Sequence, residues 1–248
     1  KKVTKNSFES LTTRLDVIYE DENILLVNKP AGVSVHEDED TKNNTLIVHI
    51  QAYLYQKREW SPRGENAFTP ALCNRIDRNT GGIVIAAKTA EALRVMNQKI
   101  KDRELDKRYL AIVEGTPKPR DGSLKGYLFK DAKKNRVFVT DTPQAGSKSC
   151  QTNYKTIASK NGLSLVECEL LTGRTHQIRA QMADAGWPLL GDGKYGSERK
   201  NKQFGETSGQ ALYSYKLVFN FKTDAGILEY LNHKELEVQD VWFKKAFY

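Results

Sequence analysis

The sequence predicts a mixed α+β fold, and three observations carry that reading. Short apolar runs rich in β-branched residues recur along the chain, each bounded by Gly, Pro or polar turns. Three stretches carry apolar residues at helical spacing. No regular strand–helix alternation links them, which argues against a parallel βαβ array. Composition agrees: 39% of the 248 residues are hydrophobic and 28% charged, enough to bury a core and unlike a disordered chain.

The elements follow in order. Residues 1–15 are polar and expected to be a flexible N-terminal segment, leaving 16–248 as the folded domain. Ile24-Leu25-Leu26-Val27 reads as a strand, stopped by the turn Lys29-Pro30-Ala31-Gly32, after which Val33-Ser34-Val35 resumes an extended pattern. An acidic loop over 37–45 leads to a helix over 46–55 and a polar stretch over 56–66. Ile83-Val84-Ile85-Ala86-Ala87 is the next strand, and Thr89 caps a helix whose Leu93, Met96 and Ile100 share a face. Arg108-Tyr109-Leu110-Ala111-Ile112-Val113 is a strand ended at Gly115. From 122 to 171 short strands alternate with turns, at 137–139, 152–157 and 163–171. A helix over 175–185 puts Ile178, Met182 and Ala185 on one side and stops at Gly186, with Pro188 beyond. A charged loop over 197–209 precedes a last strand over 212–221.

Charge and composition exclude several classes. Lys and Arg number 39 against 31 Asp and Glu, a surplus of +8 that invites a polyanionic partner without naming one. No apolar run approaches the ~20 residues of a membrane span, so no membrane partner is expected. The start, Lys1-Lys2-Val3-Thr4, has no initiator Met and no signal-peptide pattern, so a trimmed or processed chain is expected. Cys73, Cys150 and Cys168 are widely spaced with no CxxC pair, and His36, His49, His176 and His233 never bracket a Glu at metal-ligand spacing. Neither a disulfide framework nor a metal site is expected, and a reducing, cytoplasmic setting fits.

Three glycine turns gather polar residues. In Asn74-Arg75-Ile76-Asp77-Arg78-Asn79-Thr80-Gly81-Gly82 two guanidiniums flank one carboxylate and favour its ionised form. The arrangement suits a nucleophile or base beside phosphate-binding forks, and equally a turn in which Arg and Asp pair and cap. In Thr172-Gly173-Arg174-Thr175-His176-Gln177-Ile178-Arg179 a strand ends in a turn that opens a helix, whose N–H groups can receive phosphate beside Arg174, His176 and Gln177. An ordinary capped helix with solvated arginines fits the same residues. In Lys107-Arg108-Tyr109-Leu110-Ala111, Tyr109 shares the inward strand face with Ala111 and Val113, as core or as a ring that stacks on a base. Residues 130–136 hold four basic residues, a solvated turn or a phosphate contact.

Taken together, these motifs resemble the RluA-type family of RNA pseudouridine synthases, in its large-subunit ribosomal RNA branch. The stretch at 74–82 is similar to the family's His-Arg-Leu-Asp-Arg-Asp-Thr-Ser-Gly signature. Leu26-Val27-Asn28-Lys29-Pro30-Ala31-Gly32, the segments at 107–111 and 172–179, Pro188-Leu189-Leu190-Gly191-Asp192 and Lys194-Tyr195-Gly196 match in family order. The departures are Asn at 74, Ile at 76, Asn at 79 and Gly at 81.

The resemblance implies the pseudouridine synthase catalytic fold: a large mixed, mostly antiparallel sheet with flanking helices and a central RNA-binding cleft. It also implies that the small N-terminal RNA-binding domain of many relatives is not present here. Asp77 would be the catalytic aspartate, Tyr109 the tyrosine against the uracil, and Arg179 the arginine paired with the aspartate. Arg75 would border the flipped nucleotide, with Arg78, Thr80, Arg174, His176 and Gln177 as further RNA contacts. A uridine would be flipped out at a cost of roughly a few kcal/mol, its glycosidic bond broken by Asp77 acting on the sugar as nucleophile or as base, and the uracil rejoined through carbon. No cofactor or metal is required by that chemistry. Ribosomal RNA is the expected substrate, transfer RNA the alternative, and the chain is expected to be a monomer. A non-catalytic RNA-binding or ribosome-assembly protein is the competing class. Hydrolysis by paired carboxylates is disfavoured because Asp77 has no acidic neighbour in its motif.

Overall fold

The computed structural model describes residues 9, 11–37, 44–64, 68–203 and 209–248. Most of the loop expected at 37–45, part of the polar stretch at 56–66, the end of the charged loop at 197–209 and much of the segment at 1–15 lie outside them. The chain forms two compact units, Lys1–Leu105 with Phe219–Leu236, and Asp106–Val218 with Glu237–Tyr248.

The first unit holds strands β1 (Val17–Glu20), β2 (Ile24–Lys29), β3 (Ala71–Leu72) and β4 (Gly81–Ala87), all paired antiparallel, and helices α1 (Leu46–Gln56) and α2 (Ala90–Lys101). Ile24, Leu25, Leu26 and Val27 are at most 1% exposed, and every residue of β4 is buried. Strands covered on both faces need no polar alternation, which is why they read as continuous apolar runs. Thr89 Oγ1 accepts the Ala92 N–H at 3.1 Å, so α2 begins where its capping residue predicts. Its buried stripe is Ala92, Val95, Met96 and Lys99, with Leu93 and Ile100 half-buried beside it. Lys99 reaches Glu104 at 2.8 Å and the Thr223 carbonyl at 2.6 Å, tying α2 to the returning segment 219–236.

Val33-Ser34-Val35 does not continue as a strand. The carbonyls of Ser34 and Val35 instead accept the first N–H groups of α1, at 2.8 and 3.2 Å. Those donors have no partner within the helix, and satisfying them outweighs the extended preference of two valines.

The second unit holds β5 (Leu105–Glu114), β6 (Asp121–Asp131), β7 (Arg136–Thr140), β8 (Lys148–Lys160), β9 (Leu163–Leu170), helices α3 (Gln177–Asp184) and α4 (Glu198–Gln203), and β10 (Leu212–Phe219). Its strands run in the order β10-β5-β9-β8-β6-β7, with β7 at the edge, and the registered pairs are antiparallel. The α+β class and the antiparallel pairing agree with the expectation. The helix predicted over 175–185 is shorter, and every residue from Gln177 to Met182 is buried, so its apolar face is only part of its contact surface. Gly186 follows with φ +87°, the left-handed stop that glycine supplies without strain.

Candidate active site

The chemistry-bearing turns divide between the units, and each has its own setting. In the first unit, β2 and β4 are antiparallel with Asn28 opposite Ile83 and Lys29 opposite Gly82. The turn leaving β2 and the loop entering β4 therefore lie side by side. Arg78 is clasped three times: its carbonyl accepts the Gly32 N–H at 2.8 Å and Lys29 Nζ at 2.9 Å, and its Nε donates to the Gly32 carbonyl at 3.1 Å. Gly32 sits at φ +92°, a backbone state that side chains rarely adopt. The turn closes through the Thr80 N–H on the Asp77 carbonyl, 3.0 Å away.

Lys29 is the pin of this arrangement. It is fully buried, and its ammonium donates to the carbonyls of Pro30, Val33 and Arg78 at 2.9, 2.7 and 2.9 Å. Burial pushes its pKa down to about 7, against the pull of the negative charge on Asp77. The sequence motif includes this lysine without giving it a task; a lysine wedged between an apolar strand and a Pro-Gly turn is the available signal.

Asn74, where the family signature has His, behaves as an extra stretch of backbone. Its Oδ1 accepts the Ile85 N–H at 2.8 Å and its Nδ2 donates to the Ile83 carbonyl at 3.4 Å. Asp77 is half-buried, with Arg75 and Arg78 exposed on either side of it in the chain. Burial, then the positive charge of Arg75, pushes His36 below the usual histidine range. Thr80, expected as an RNA contact, is 1% exposed in this turn.

In the second unit, Tyr109 lies on β5 opposite Cys168 and is 7% exposed. Arg179, on α3, is held as a fork: Nε and Nη2 donate to Asp192 Oδ2 and Oδ1 at 2.7 and 3.1 Å. Asp192 also accepts the N–H groups of Lys194 and Tyr195 at 2.9 and 3.0 Å. Burial works against the charge of Asp192, but the Arg179 guanidinium and those two N–H groups hold its carboxyl below the usual range. Gly196 completes this turn by necessity, since a Cβ there would stand 2.5 Å from the Asp192 carbonyl oxygen.

Tyr195, also matched without a role, packs between two guanidiniums, with Arg136 5.0 Å and Arg179 5.2 Å from its ring centre. Its hydroxyl lies 2.8 Å from His176 Nδ1 and accepts the Val137 N–H at 2.9 Å. His176, at φ +54°, precedes α3 and is thereby part of this internal network. Arg174 is half-buried and its Nε donates to the Ser149 carbonyl at 3.2 Å.

Gln177, also expected as an RNA contact, is held by bonds inside the protein. It is 2% exposed; Oε1 accepts Thr172 Oγ1 and the Arg174 N–H at 2.8 and 3.1 Å, and Nε2 donates to the Gln151 carbonyl and Thr152 Oγ1, both at 2.9 Å. An amide saturated inside the protein shapes the turn rather than reading a ligand. Among the described residues no three His, Cys, Asp or Glu side chains gather as a metal site, and no helix is long and apolar enough to cross a membrane.

The sequence model for the family described as RNA pseudouridylate synthase matches residues 23–184, a span that contains the β2 and β4 motifs, Tyr109 and Arg179. This chain belongs to that family. It is 35% identical over 189 residues to the ribosomal large subunit pseudouridine synthase D of Zymomonas mobilis, covering 75% of this chain and 57% of that protein. Over 217 residues it is 34% identical to the uncharacterized RNA pseudouridine synthase YlyB of Bacillus subtilis, covering 87% and 68%. The chain thus spans a little over half the length of the first of these relatives. The fold is similar to that of human RNA pseudouridylate synthase domain containing 4, with a TM-score of 0.68 at 20% identity over 90% of this chain and 87% of that one.

Proposed function

We propose that the chain is the catalytic part of an RNA pseudouridine synthase, an isomerase converting specific uridines of ribosomal RNA to pseudouridine. The supporting observation is the clasped turn that presents Asp77, part of a motif set that the chain shares in order with its family. In this reading Arg75 and Arg78 steady the displaced strand, and Asp77 acts on the sugar of a flipped uridine as nucleophile or base. The C1′–N1 bond breaks, the uracil turns, and a bond forms from C1′ to C5, whose proton leaves to solvent. Tyr109 packs against the uracil, and Arg179 serves as counter-ion to the aspartate, its orientation set by Asp192. Of the further contacts inferred from the resemblance, Arg174 and His176 remain candidates for RNA, while Thr80 and Gln177 act from inside. The protein works as a monomer in a cytoplasmic setting.

Release of tritium from uracil-5-labelled ribosomal RNA tests the reading. Wild type should release label stoichiometrically with modified sites, and Asp77→Asn should release none while keeping RNA affinity. Release from labelled transfer RNA but not ribosomal RNA would redirect the substrate; release from neither, with RNA still bound, would leave an RNA-binding protein without this activity.

A further inference from the structure

The hairpin of β6 and β7 carries a face that the catalytic reading leaves unused. Register places Phe129 directly opposite Phe138, with Asp131 opposite Arg136 as the next pair on the same face. Both rings stand out of the protein, 37% and 39% exposed, on the last two strands of the sheet. The opposite face of the hairpin is the buried one, where Leu128 and Val137 pack with Cys150 and Ala180. Two cations approach one of the exposed rings: Lys134 Nζ lies 5.9 Å and the Arg136 guanidinium, which also packs on Tyr195, 5.8 Å from the centre of Phe138. Lys133 at the turn is also exposed, and Lys130 is exposed on the opposite strand face, so the tip carries four cations in all. Its one carboxylate, Asp131, accepts the N–H groups of Lys133 and Lys134 at 3.0 and 3.1 Å. The tip is also anchored, because Lys194 Nζ donates to the Asn135 carbonyl at 2.6 Å and Tyr195 Oη accepts the Val137 N–H.

Two exposed rings side by side, rimmed by cations and held by fixed bonds, match what an unpaired nucleotide strand requires. Bases stack on aromatic faces while ammonium and guanidinium groups follow the phosphates. A duplex, with its bases stacked on one another, has no face to offer the rings.

We propose that the outer face of the β6–β7 hairpin is a stacking platform for an unpaired segment of the RNA substrate, seated on Phe129 and Phe138 with its phosphates on Lys134 and Arg136. The proposal rests on RNA as the substrate. It is tested by anisotropy with a fluorescein-labelled, unstructured 12-nucleotide RNA and the matching 12-base-pair duplex. The variants are Phe129→Leu/Phe138→Leu, which keeps apolar bulk but removes the rings, and Lys134→Gln/Arg136→Gln. Equal thermal midpoints by circular dichroism confirm that each variant is folded.

The leucine variant should bind the single strand at least about fivefold more weakly with an unchanged salt slope, and the duplex within about twofold of wild type. The glutamine variant should flatten the single-strand salt slope by about 0.7 for each phosphate that is no longer neutralised. Single-strand affinity in the leucine variant within twofold of wild type would overturn the platform, as would a loss of self-association by sedimentation with RNA affinity intact. Wild type that binds neither probe would overturn the RNA reading as well, whereas tritium release that persists beside an unaffected leucine variant would overturn the platform alone.

Discussion

A buried ammonium group at Lys29 has a measurable signature. Its pKa is depressed to about 7 by burial, so between about pH 7 and pH 10 the unfolded chain binds more protons at this site than the folded one. Stability contributed by this residue therefore rises with pH across that window and is level below it. Urea unfolding at pH 7 and pH 10 should show wild type gaining on Lys29→Met as pH rises; a constant difference would mean that the lysine keeps an ordinary pKa. Its place explains why the motif is legible in the sequence and the task is not. Apolar spacing announces a buried strand, but nothing in one dimension says that three carbonyls from Pro30, Val33 and Arg78 converge on one nitrogen. The burial of Thr80 and Gln177 is illegible for the same reason: polar residues in a glycine turn look solvent-facing until their partners are known.

Elements whose burial is simple are the legible ones. β2, β4, α1 and α2 come out close to their expected bounds because continuous apolar runs, helical spacing and a Thr cap act locally. β6 escapes a strand reading, since its Gly122, Gly126 and exposed alternate residues imitate a run of turns. The charged stretch at 197–209 contains the short helix α4, which its polarity conceals. α3 shows what one-sided patterns omit. Gln177, Arg179 and Gln181 are as buried as Ile178 and Met182, and Gln177 and Gln181 bond to Thr152 and, through Gln181 Nε2, to the Leu124 carbonyl at 3.0 Å. Gln177→Ala would strand several of those groups without partners and should cost about 2–4 kcal/mol, read from the urea midpoint. A cost below about 1 kcal/mol accompanied by weakened RNA binding would instead place the amide at the ligand.

At the scale of the molecule, the +8 surplus is unevenly distributed. Basic residues concentrate at the tip of the β6–β7 hairpin, where residues 130–136 hold four cations and one carboxylate. Family membership is legible because its motifs lie in order along most of the chain. The division into two units is not, because both are discontinuous: Phe219–Leu236 returns to complete the unit begun by Lys1–Leu105, and Glu237–Tyr248 to complete the one begun by Asp106–Val218. Glu104 there accepts Lys99 Nζ, Thr223 Oγ1 and the Lys222 N–H, so the returning segment supplies partners for a buried pair. A fragment of residues 1–105 should accordingly lack a cooperative melt by circular dichroism, and adding a peptide of residues 219–236 should restore one. A cooperative melt of the fragment alone would show the pair to be dispensable.

That return also sets a schedule during synthesis. At about 5–20 residues per second, the ribosome needs on the order of ten seconds to pass from residue 105 to residue 219. Throughout that interval Lys99 and Glu104 lack Thr223 and Lys222, and the unit begun first must wait for a segment made after nearly all of the other unit.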